Sequence, residues 1–181
     1  MMVKAGSATD AVIDNISEYL EEGDLLIDGG NSHWKESIAR YNEFMERGIY
    51  FLDCGTSGGI WGLKNGFCLT IGGEKRIYEE IKELFVALSD KNSKGGLYVG
   101  GSGSGHYVKM IHNGIEYGMM QSIAEGLDIL KNKPDFKFKL EDITENWRTG
   151  SVIQSWLLDL IASELKIDPK LKNYNSKKSF F

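Results

Sequence analysis

Blocks of apolar residues alternate with polar stretches along the first hundred residues of the chain. Short apolar runs predict four strands, at 25–28, 49–53, 67–71 and 97–99. Between them, apolar residues recur at helical spacing, which predicts helices over about 9–22, 34–47 and 75–88. The first part of the chain therefore alternates between strand and helix.

Glycines come directly after several of these strands, as in Gly29-Gly30 and Gly72-Gly73. Alternating strands and helices with glycines at strand ends are typical of an open, largely parallel α/β sheet. Ligands of such sheets lie beyond the carboxyl ends of the strands. We therefore expect the polar loops 28–32 and 53–59 to line one crevice.

The pattern becomes purely helical after the glycine-rich run at 100–105. Helical periodicity predicts one long helix over about 105–130, followed by shorter helices near 141–146 and 152–166. The run itself lacks the GxGxxG spacing of a dinucleotide-binding turn, because His106 stands where the last glycine is required. We interpret it as a hinge or a closely packed entry to the long helix.

Composition and charge exclude several classes of protein. The chain of 181 residues is 41% hydrophobic and has a net charge of −5, which disfavours nucleic acid and anionic membrane surfaces as partners. Two cysteines, Cys54 and Cys68, are too few for a disulfide framework or a cysteine-rich zinc site. No apolar run has the length of a membrane span, so we expect a cytoplasmic protein.

The candidate chemistry lies on the long helix. Five polar residues are spaced so that they share one helix face: Lys109, His112, Asn113, Glu116 and Tyr117. A partly desolvated lysine can act as a general base, a glutamate as an acid, and His and Asn can hold a hydroxyl or carboxylate. The alternative is an ordinary solvated face with a capped histidine.

Three other features have weaker signals. Glycines at 55–59 are consistent with an anion-binding nest of backbone amides, or with a tight turn. Asn31 ends a strand loop and so faces the crevice, or else it is the N-cap of the next helix. Arg148 either contacts an anionic group or is a surface arginine. The three histidines have no metal-ligand spacing, so we expect no metal site.

Together these motifs identify a resemblance. Over about residues 1–166 the chain resembles the decarboxylating 6-phosphogluconate dehydrogenase family. The stretches that carry the resemblance are VKAG at 3–6, IDGGNS at 27–32, FLDCGTSGG at 51–59, LTIGG at 69–73 and GSGHYVKMIHNGIEYGMMQSIAEG at 103–126. A further stretch, WRTGSVIQSWLLDL at 147–160, resembles the shorter bacterial branch of that family.

The resemblance implies a fold and a reaction. The fold would be the C-terminal part of a Rossmann-like parallel-sheet domain at 1–102, followed by part of an all-helical domain at 103–181. The reaction would convert 6-phosphogluconate to ribulose 5-phosphate and CO2 with NADP or NAD, in the pentose phosphate pathway and in gluconate utilisation. The resemblance implies a homodimer and no metal.

The resemblance also assigns residue roles. Lys109 would take the proton of the substrate 3-hydroxyl and stabilise the enolate, and Glu116 would protonate C1 of the enediol. The implied substrate-binding residues are Asn31, Ser57, Gly58, Gly59, His112, Asn113, Tyr117 and Arg148, the last two at the phosphate. The implied cofactor-binding residues are Val3, Lys4, Ala5 and Asn31.

The chain departs from the family pattern at both ends. Family members begin with a strand and a glycine-rich turn for the pyrophosphate, then a second strand that selects NAD or NADP, and this sequence contains neither. Residues 167–181 match no part of the pattern. We therefore expect a chain truncated at the N-terminus and the C-terminus. The alternatives are a related β-hydroxyacid dehydrogenase, which shares the lysine but not HNGIEY, or a non-catalytic remnant without a cofactor site.

Overall fold

The computed structural model describes residues 1–93 and 95–171. Its strands are β1 Leu25–Asp28, β2 Tyr50–Ser57, β3 Cys68–Gly72 and β4 Leu97–Gly100. Its α-helices are α1 Ser7–Ser17, α2 Trp34–Glu46, α3 Gly62–Asn65, α4 Lys75–Glu80, α5 Lys82–Leu88, α6 Ser104–Lys131, α7 Leu140–Trp147 and α8 Trp156–Ile167, with a 3₁₀ turn at Gly59–Trp61. The chain divides into two compact units, Met1–Gly114 and Ile115–Phe181, and α6 contributes residues to both.

The first unit is built on a four-stranded sheet in the order β1-β2-β3-β4. The pairs β1–β2 and β3–β4 are parallel, whereas β2–β3 is antiparallel. The sheet is therefore mixed, and the expectation that it is largely parallel misses one pairing. Only residues 58–67 join β2 to β3. A parallel pairing needs a crossover of about a dozen residues or more, so this short link favours the antiparallel arrangement.

Alternation along β2 directs its side chains to two different layers. Phe51 joins a core cluster with Phe44 of α2 and Ile13 of α1. The next residue, Leu52, belongs to a second cluster that includes Phe85 of α5. The sheet is therefore covered on both faces, and each fully buried side chain of this size contributes about 1.5–3 kcal/mol.

β2 is longer than the sequence pattern predicts. The sequence predicts a loop at 53–59, but β2 continues to Ser57 and Gly55 pairs with Thr70 of β3. A Cβ atom at Gly55 would lie 2.6 Å from the carbonyl oxygen of Gly105 and 2.6 Å from Cβ of Lys109. The glycine therefore marks the place where α6 lies directly on the sheet, not the end of a strand.

Several helix boundaries also differ from those that the apolar periodicity predicts. α1 ends at Ser17 and not near residue 22. The predicted helix over 75–88 is divided into α4 and α5 at Ile81, where φ is −112° and ψ is 15°. Neither Gly nor Pro occurs in that stretch, and nothing else in the structure explains the break. The long helix is confirmed as α6, within one residue at each end.

The described part of the second unit, residues 115–171, consists of helices joined by turns and contains no strand. Leu127 of α6, Leu140 of α7 and Leu165 of α8 form its buried core. Ser155 caps α8, since its Oγ accepts the backbone amide of Leu158 at 3.2 Å. None of the helices in the described part of the chain is long and apolar enough to cross a membrane.

Candidate active site

Asp53 fixes the start of α6 on the sheet. Its buried carboxylate accepts the backbone amide of Gly103 at 2.6 Å and that of His106 at 2.8 Å. The first turn of a helix has unpaired amide N–H groups and a partial positive charge. A carboxylate there accepts hydrogen bonds from the amides and interacts favourably with the charge. The run at 100–105 is thus a closely packed entry to α6. This agrees with the interpretation from the sequence, which rejects a dinucleotide-binding turn at this place.

Asp28 shapes the loop that carries Asn31. Its buried carboxylate accepts the amide of Gly30 at 3.0 Å and the hydroxyl of Ser32 at 2.7 Å. Arg40 of α2 lies 3.5 Å from the same carboxylate and 2.6 Å from Asp10 of α1. A buried charge with several partners holds its neighbours firmly, so the loop after β1 has a fixed conformation.

The loop of residues 3–5 lies beside the loop after β1. The backbone oxygen of Val3 is so near Gly30 that a Cβ atom there would lie 2.9 Å from it. Thr9 of α1 donates from Oγ1 to the carbonyl oxygen of Lys4 at 3.1 Å, which ties the loop to the helix that follows. Ala5 and Asn31 line the same pocket of about 370 Å³. The structure thus brings the predicted cofactor-binding positions together.

A chain of polar side chains joins β2, α6 and the loop after β1. Ser57 Oγ lies 3.3 Å from His112 Nε2, and His112 Nδ1 lies 3.3 Å from Asn113 Oδ1. Asn113 donates from Nδ2 to Asn31 Oδ1 at 3.2 Å. Four predicted substrate-binding residues from three separate elements therefore meet at the carboxyl ends of β1 and β2, as expected for an α/β sheet.

Lys109 belongs to this cluster. Its Nζ lies 3.4 Å from His112 Nδ1, on the same side of α6. Lys109 is half-buried beside the backbone of β2. His112 is exposed and Asn113 half-buried, and each contacts a side chain of another element, Ser57 and Asn31 respectively.

The alternative role of Asn31 as a helix cap is wrong. His33 is the N-cap of α2, and its Nδ1 accepts the backbone amide of Lys35 at 3.2 Å. Asn31 is left two residues before the cap, with its side-chain oxygen bound to Asn113. Of the glycines in the predicted anion nest, Gly55 lies within β2, whereas Gly58 with φ 140° and Gly59 with φ 51° follow the strand.

The remaining predicted site residues lie in the second unit. Glu116 and Tyr117 follow on α6, where Glu116 is half-buried and Tyr117 exposed. Arg148 follows α7 and forms ion pairs with Glu145 at 3.0 Å and Asp159 at 2.7 Å. These carboxylates raise the pKa of Arg148, the hydrogen bond to Asp159 being the larger cause. Its guanidinium therefore binds carboxylates within its own unit.

Neither cysteine is part of this chemistry. Burial raises the pKa of the Cys54 thiol to about 11, so it is protonated near neutral pH. Cys68 is exposed at the start of β3. Across residues 1–93 and 95–171, no group of three or more His, Cys, Asp or Glu side chains is placed to hold a metal ion.

The pocket also contains residues that sequence reasoning did not single out. They are Trp34, Glu36, His106 and Met110. Spacing could have identified two of them, since His106, Met110 and Asn113 are four and three residues apart and share a face of α6. Trp34 and Glu36 stand in the first turn of α2, and no local pattern distinguishes them from other surface residues.

Comparison with known proteins decides the family. The family model described as the NAD binding domain of 6-phosphogluconate dehydrogenase matches residues 1–100, and that of the C-terminal domain of the same enzyme matches residues 105–135. The chain belongs to the 6-phosphogluconate dehydrogenase family. The predicted fold class is confirmed with it, a Rossmann-like NAD-binding domain followed by a helical domain.

The sequence identity to individual members of the 6-phosphogluconate dehydrogenase family supports this assignment. The Bacillus subtilis protein YqeC, named for this enzyme, is 48% identical over 162 residues, which are 90% of this chain and 54% of that protein. The NAD(+)-dependent, decarboxylating 6-phosphogluconate dehydrogenase of Haloferax volcanii is 43% identical over 88% of this chain and 52% of its own length. The chain thus spans about half the length of these relatives.

A solved structure of the family has the same fold. The Plasmodium falciparum 6-phosphogluconate dehydrogenase, solved in its apo form and with NADP+ or 6-phosphogluconate, superposes with a TM-score of 0.79. It is 36% identical, and the match covers 90% of this chain and 35% of that one.

Proposed function

We propose that this chain catalyses, or supplies the substrate-binding part of an enzyme that catalyses, the oxidative decarboxylation of 6-phosphogluconate to ribulose 5-phosphate and CO2. The observation that carries the proposal is the meeting of Ser57, His112, Asn113 and Asn31 beside Lys109. Hydroxyl, imidazole, amide and amine groups are suited to a polyhydroxylated acid. Relatives named as decarboxylating 6-phosphogluconate dehydrogenases support the same substrate.

Lys109 has the central role in this proposal. It takes the proton of the substrate 3-hydroxyl as C3 is oxidised to a ketone, and bound NAD or NADP supplies the acceptor of the electron pair that leaves C3. The new ketone then lets the carboxylate leave as CO2, since the β-carbonyl accepts the electrons of the breaking bond. Protonated Lys109 stabilises the enolate oxygen that forms.

Glu116 completes the reaction by protonating C1 of the enediol. Lys109 and Glu116 are seven residues apart on α6, about two helical turns. An amine and a carboxyl group permit two separate proton transfers. In this proposal Ser57, Gly58 and Gly59 hold the sugar acid together with His112 and Asn113, while Tyr117 and Arg148 contact the phosphate.

The pocket fits the nicotinamide end of the proposed cofactor. Among its lining residues there is no Lys or Arg, and there is one carboxylate, that of Glu36. The indole of Trp34 adds an aromatic surface. Glu36 pairs with Arg40 at 3.3 Å and Lys35 Nζ lies 5.5 Å from the centroid of the Trp34 ring, so the support for a nicotinamide ring comes from the flat aromatic surface and not from a free negative charge. Val3, Lys4, Ala5 and Asn31 would hold the cofactor there, and NAD and NADP both remain candidates.

The proposal also includes the domain division, the oligomeric state, the partners and the cellular role of the protein. The domain division 1–102 and 103–181 agrees with the division between the two matching family models. Large exposed apolar side chains on and before α8, among them Val152, Ile153 and Trp156, support a homodimer. The net charge of −5 supports a protein that does not bind nucleic acid or membrane surfaces. Membership of the 6-phosphogluconate dehydrogenase family supports a role in the pentose phosphate pathway, in the cytoplasm.

The experiment is an assay of reduced cofactor, with 6-phosphogluconate and either NAD or NADP. We expect turnover that is lost in Lys109→Ala and kept in Lys82→Ala, a matched removal of an exposed lysine at the start of α5. Binding of 6-phosphogluconate without turnover would limit the chain to the substrate-binding part. Turnover of 3-hydroxyisobutyrate in place of 6-phosphogluconate would contradict the substrate and indicate a related β-hydroxyacid dehydrogenase.

A further inference from the structure

Arg40 places a positive charge inside the first unit. It belongs to α2, and its side chain is only 8% exposed. Charged side chains are rarely buried unless they are paired. Three carboxylates lie within 3.5 Å of the guanidinium, those of Asp10 on α1, Glu36 on α2 and Asp28 at the end of β1. The guanidinium therefore joins three different elements at one point.

Asp28 is the partner that depends most on Arg40. The side chains of Asp10 and Glu36 are 60% and 46% exposed, so water also solvates them, whereas that of Asp28 is fully buried. Arg40 Nη1 lies 3.5 Å from Asp28 Oδ2 and makes no hydrogen bond among the described residues, so this contact is ionic. Attraction between two charges is stronger away from water. Removal of the guanidinium would leave the Asp28 carboxylate buried without this cation.

The Asp28 carboxylate in turn fixes the residues on either side of Asn31. Its Oδ1 accepts the amide of Gly30 at 3.0 Å, and its Oδ2 accepts the hydroxyl of Ser32 at 2.7 Å. Asn31 itself is exposed and lies outside any helix or strand. Its side-chain oxygen accepts a hydrogen bond from Asn113 Nδ2 at 3.2 Å. The direction of the Asn31 side chain therefore depends on the bonds that its two neighbours make with Asp28.

We propose that Arg40 is a positioning residue for the candidate site, which acts through Asp28 to hold Asn31 in the direction in which Asn31 binds the substrate. A side chain that contacts a ligand needs such support, because a small displacement weakens its hydrogen bonds. This inference rests on the proposed function, since it takes Asn31 as a residue that contacts 6-phosphogluconate. Arg40 then affects the affinity for the substrate through Asn31, and not only the stability of the fold.

The test measures the affinity of the full chain for 6-phosphogluconate by titration calorimetry in a double-mutant cycle. Arg40→Gln removes the cation, Asn31→Ala removes the side chain that it positions, and a third protein has both substitutions. We expect each single substitution to weaken binding about 2- to 10-fold, as for loss of one hydrogen bond. The double variant should bind no more weakly than Asn31→Ala. Two effects that multiply would show that Arg40 acts by another route, and would overturn the inference.

Hydrogen exchange in the ligand-free protein separates local positioning from general destabilisation. The amide of Gly30 is bonded to Asp28, and that of Gly73 to the carbonyl oxygen of Gly100. Arg40→Gln should speed exchange at Gly30 by a larger factor than at Gly73, because only Gly30 belongs to the loop that Asp28 holds. An equal factor at both amides would mean that the fold as a whole is weakened, and would overturn the inference.

Arg47→Gln is the matched control. Arg47 is exposed and donates to the carbonyl oxygen of Ser17 at 2.7 Å, so it joins α2 to α1 at their C-terminal ends. This variant should bind 6-phosphogluconate like the wild type, and a loss equal to that of Arg40→Gln would overturn the inference. Should Arg40→Gln fail to fold, Arg40→Lys keeps the charge without the planar guanidinium, and its affinity and its exchange at Gly30 decide in the same way.

The outcomes separate this inference from the proposed function. If the wild-type chain binds 6-phosphogluconate and Arg40→Gln binds it equally well, the inference is overturned alone. If the wild-type chain does not bind 6-phosphogluconate, the proposed function is overturned, and the exchange factors at Gly30 and Gly73 decide whether Arg40 positions the loop of Asn31.

Discussion

The carboxylate of Asp53 accepts the backbone amide of His106 at 2.8 Å, and this bond joins β2 to the first turn of α6. Asp53 lies four residues before Ser57, and His106 lies three residues before Lys109. The two residues therefore set the distance between the strand and the helix that carry the candidate active site.

Replacement of this carboxylate tests its importance. Asp53→Asn keeps the size but replaces one acceptor oxygen by an NH2 group, which would face an amide N–H. We expect the free energy of unfolding to fall by about 1–3 kcal/mol, as for other buried hydrogen bonds to charged groups. Chemical denaturation measures the change.

A matched control uses a half-buried carboxylate whose hydrogen bond lies at the surface. Asp90 accepts the amide of Asn92 at 2.8 Å in a solvent-exposed turn, and Asp90→Asn should change stability by less than about 0.5 kcal/mol. An equal decrease in the free energy of unfolding of the two variants would show that the contact between Asp53 and α6 stabilises the fold no more than a surface hydrogen bond does.

Gly55 tests the close approach of α6 to the sheet. In Gly55→Ala the new Cβ would lie 2.6 Å from Cβ of Lys109, so the helix has to shift. We expect a loss of about 1–3 kcal/mol, the range for overpacking. Gly101→Ala is the control, because nothing lies within 4 Å of a Cβ atom there. A Gly55→Ala protein as stable as Gly101→Ala would contradict the packing described.

The two cysteines should differ sharply in reactivity. The pKa of Cys54 is raised to about 11 by burial, so at about pH 8 its thiolate fraction is on the order of a thousandth. Cys68 is exposed. A thiol reagent should titrate one group rapidly in the folded protein and two after denaturation, and Cys68→Ser should abolish the rapid reaction. Two rapid thiols in the folded chain would mean that Cys54 is accessible.

Local periodicity predicts those parts of the fold that depend on neighbours in the chain. α6 and the shared face of Lys109, His112 and Asn113 follow from helical spacing alone. The antiparallel pairing of β2 with β3 and the extension of β2 through Gly55 depend on contacts between distant residues, which spacing does not contain. The sequence therefore indicates which residues form the site more readily than how the strands beneath it pair.

The candidate site shows the same division. Asn31, Ser57 and His112 could be named from strand ends, helix spacing and family resemblance, and the structure joins them through Asn113. His106 lies in the pocket because α2 packs against α6, and local spacing does not contain that contact.

The most direct test of the central claim is the affinity of 6-phosphogluconate for the chain, measured by titration calorimetry. The claim is that the cluster joining Ser57, His112, Asn113 and Lys109 holds the sugar acid. We predict binding that weakens about 2- to 10-fold in Ser57→Ala, as for loss of one hydrogen bond, with an unchanged melting temperature. Ser163→Ala, which removes an exposed hydroxyl from α8, should bind like the wild type. No measurable binding by the wild-type chain, or equal affinity in Ser57→Ala, would contradict the account.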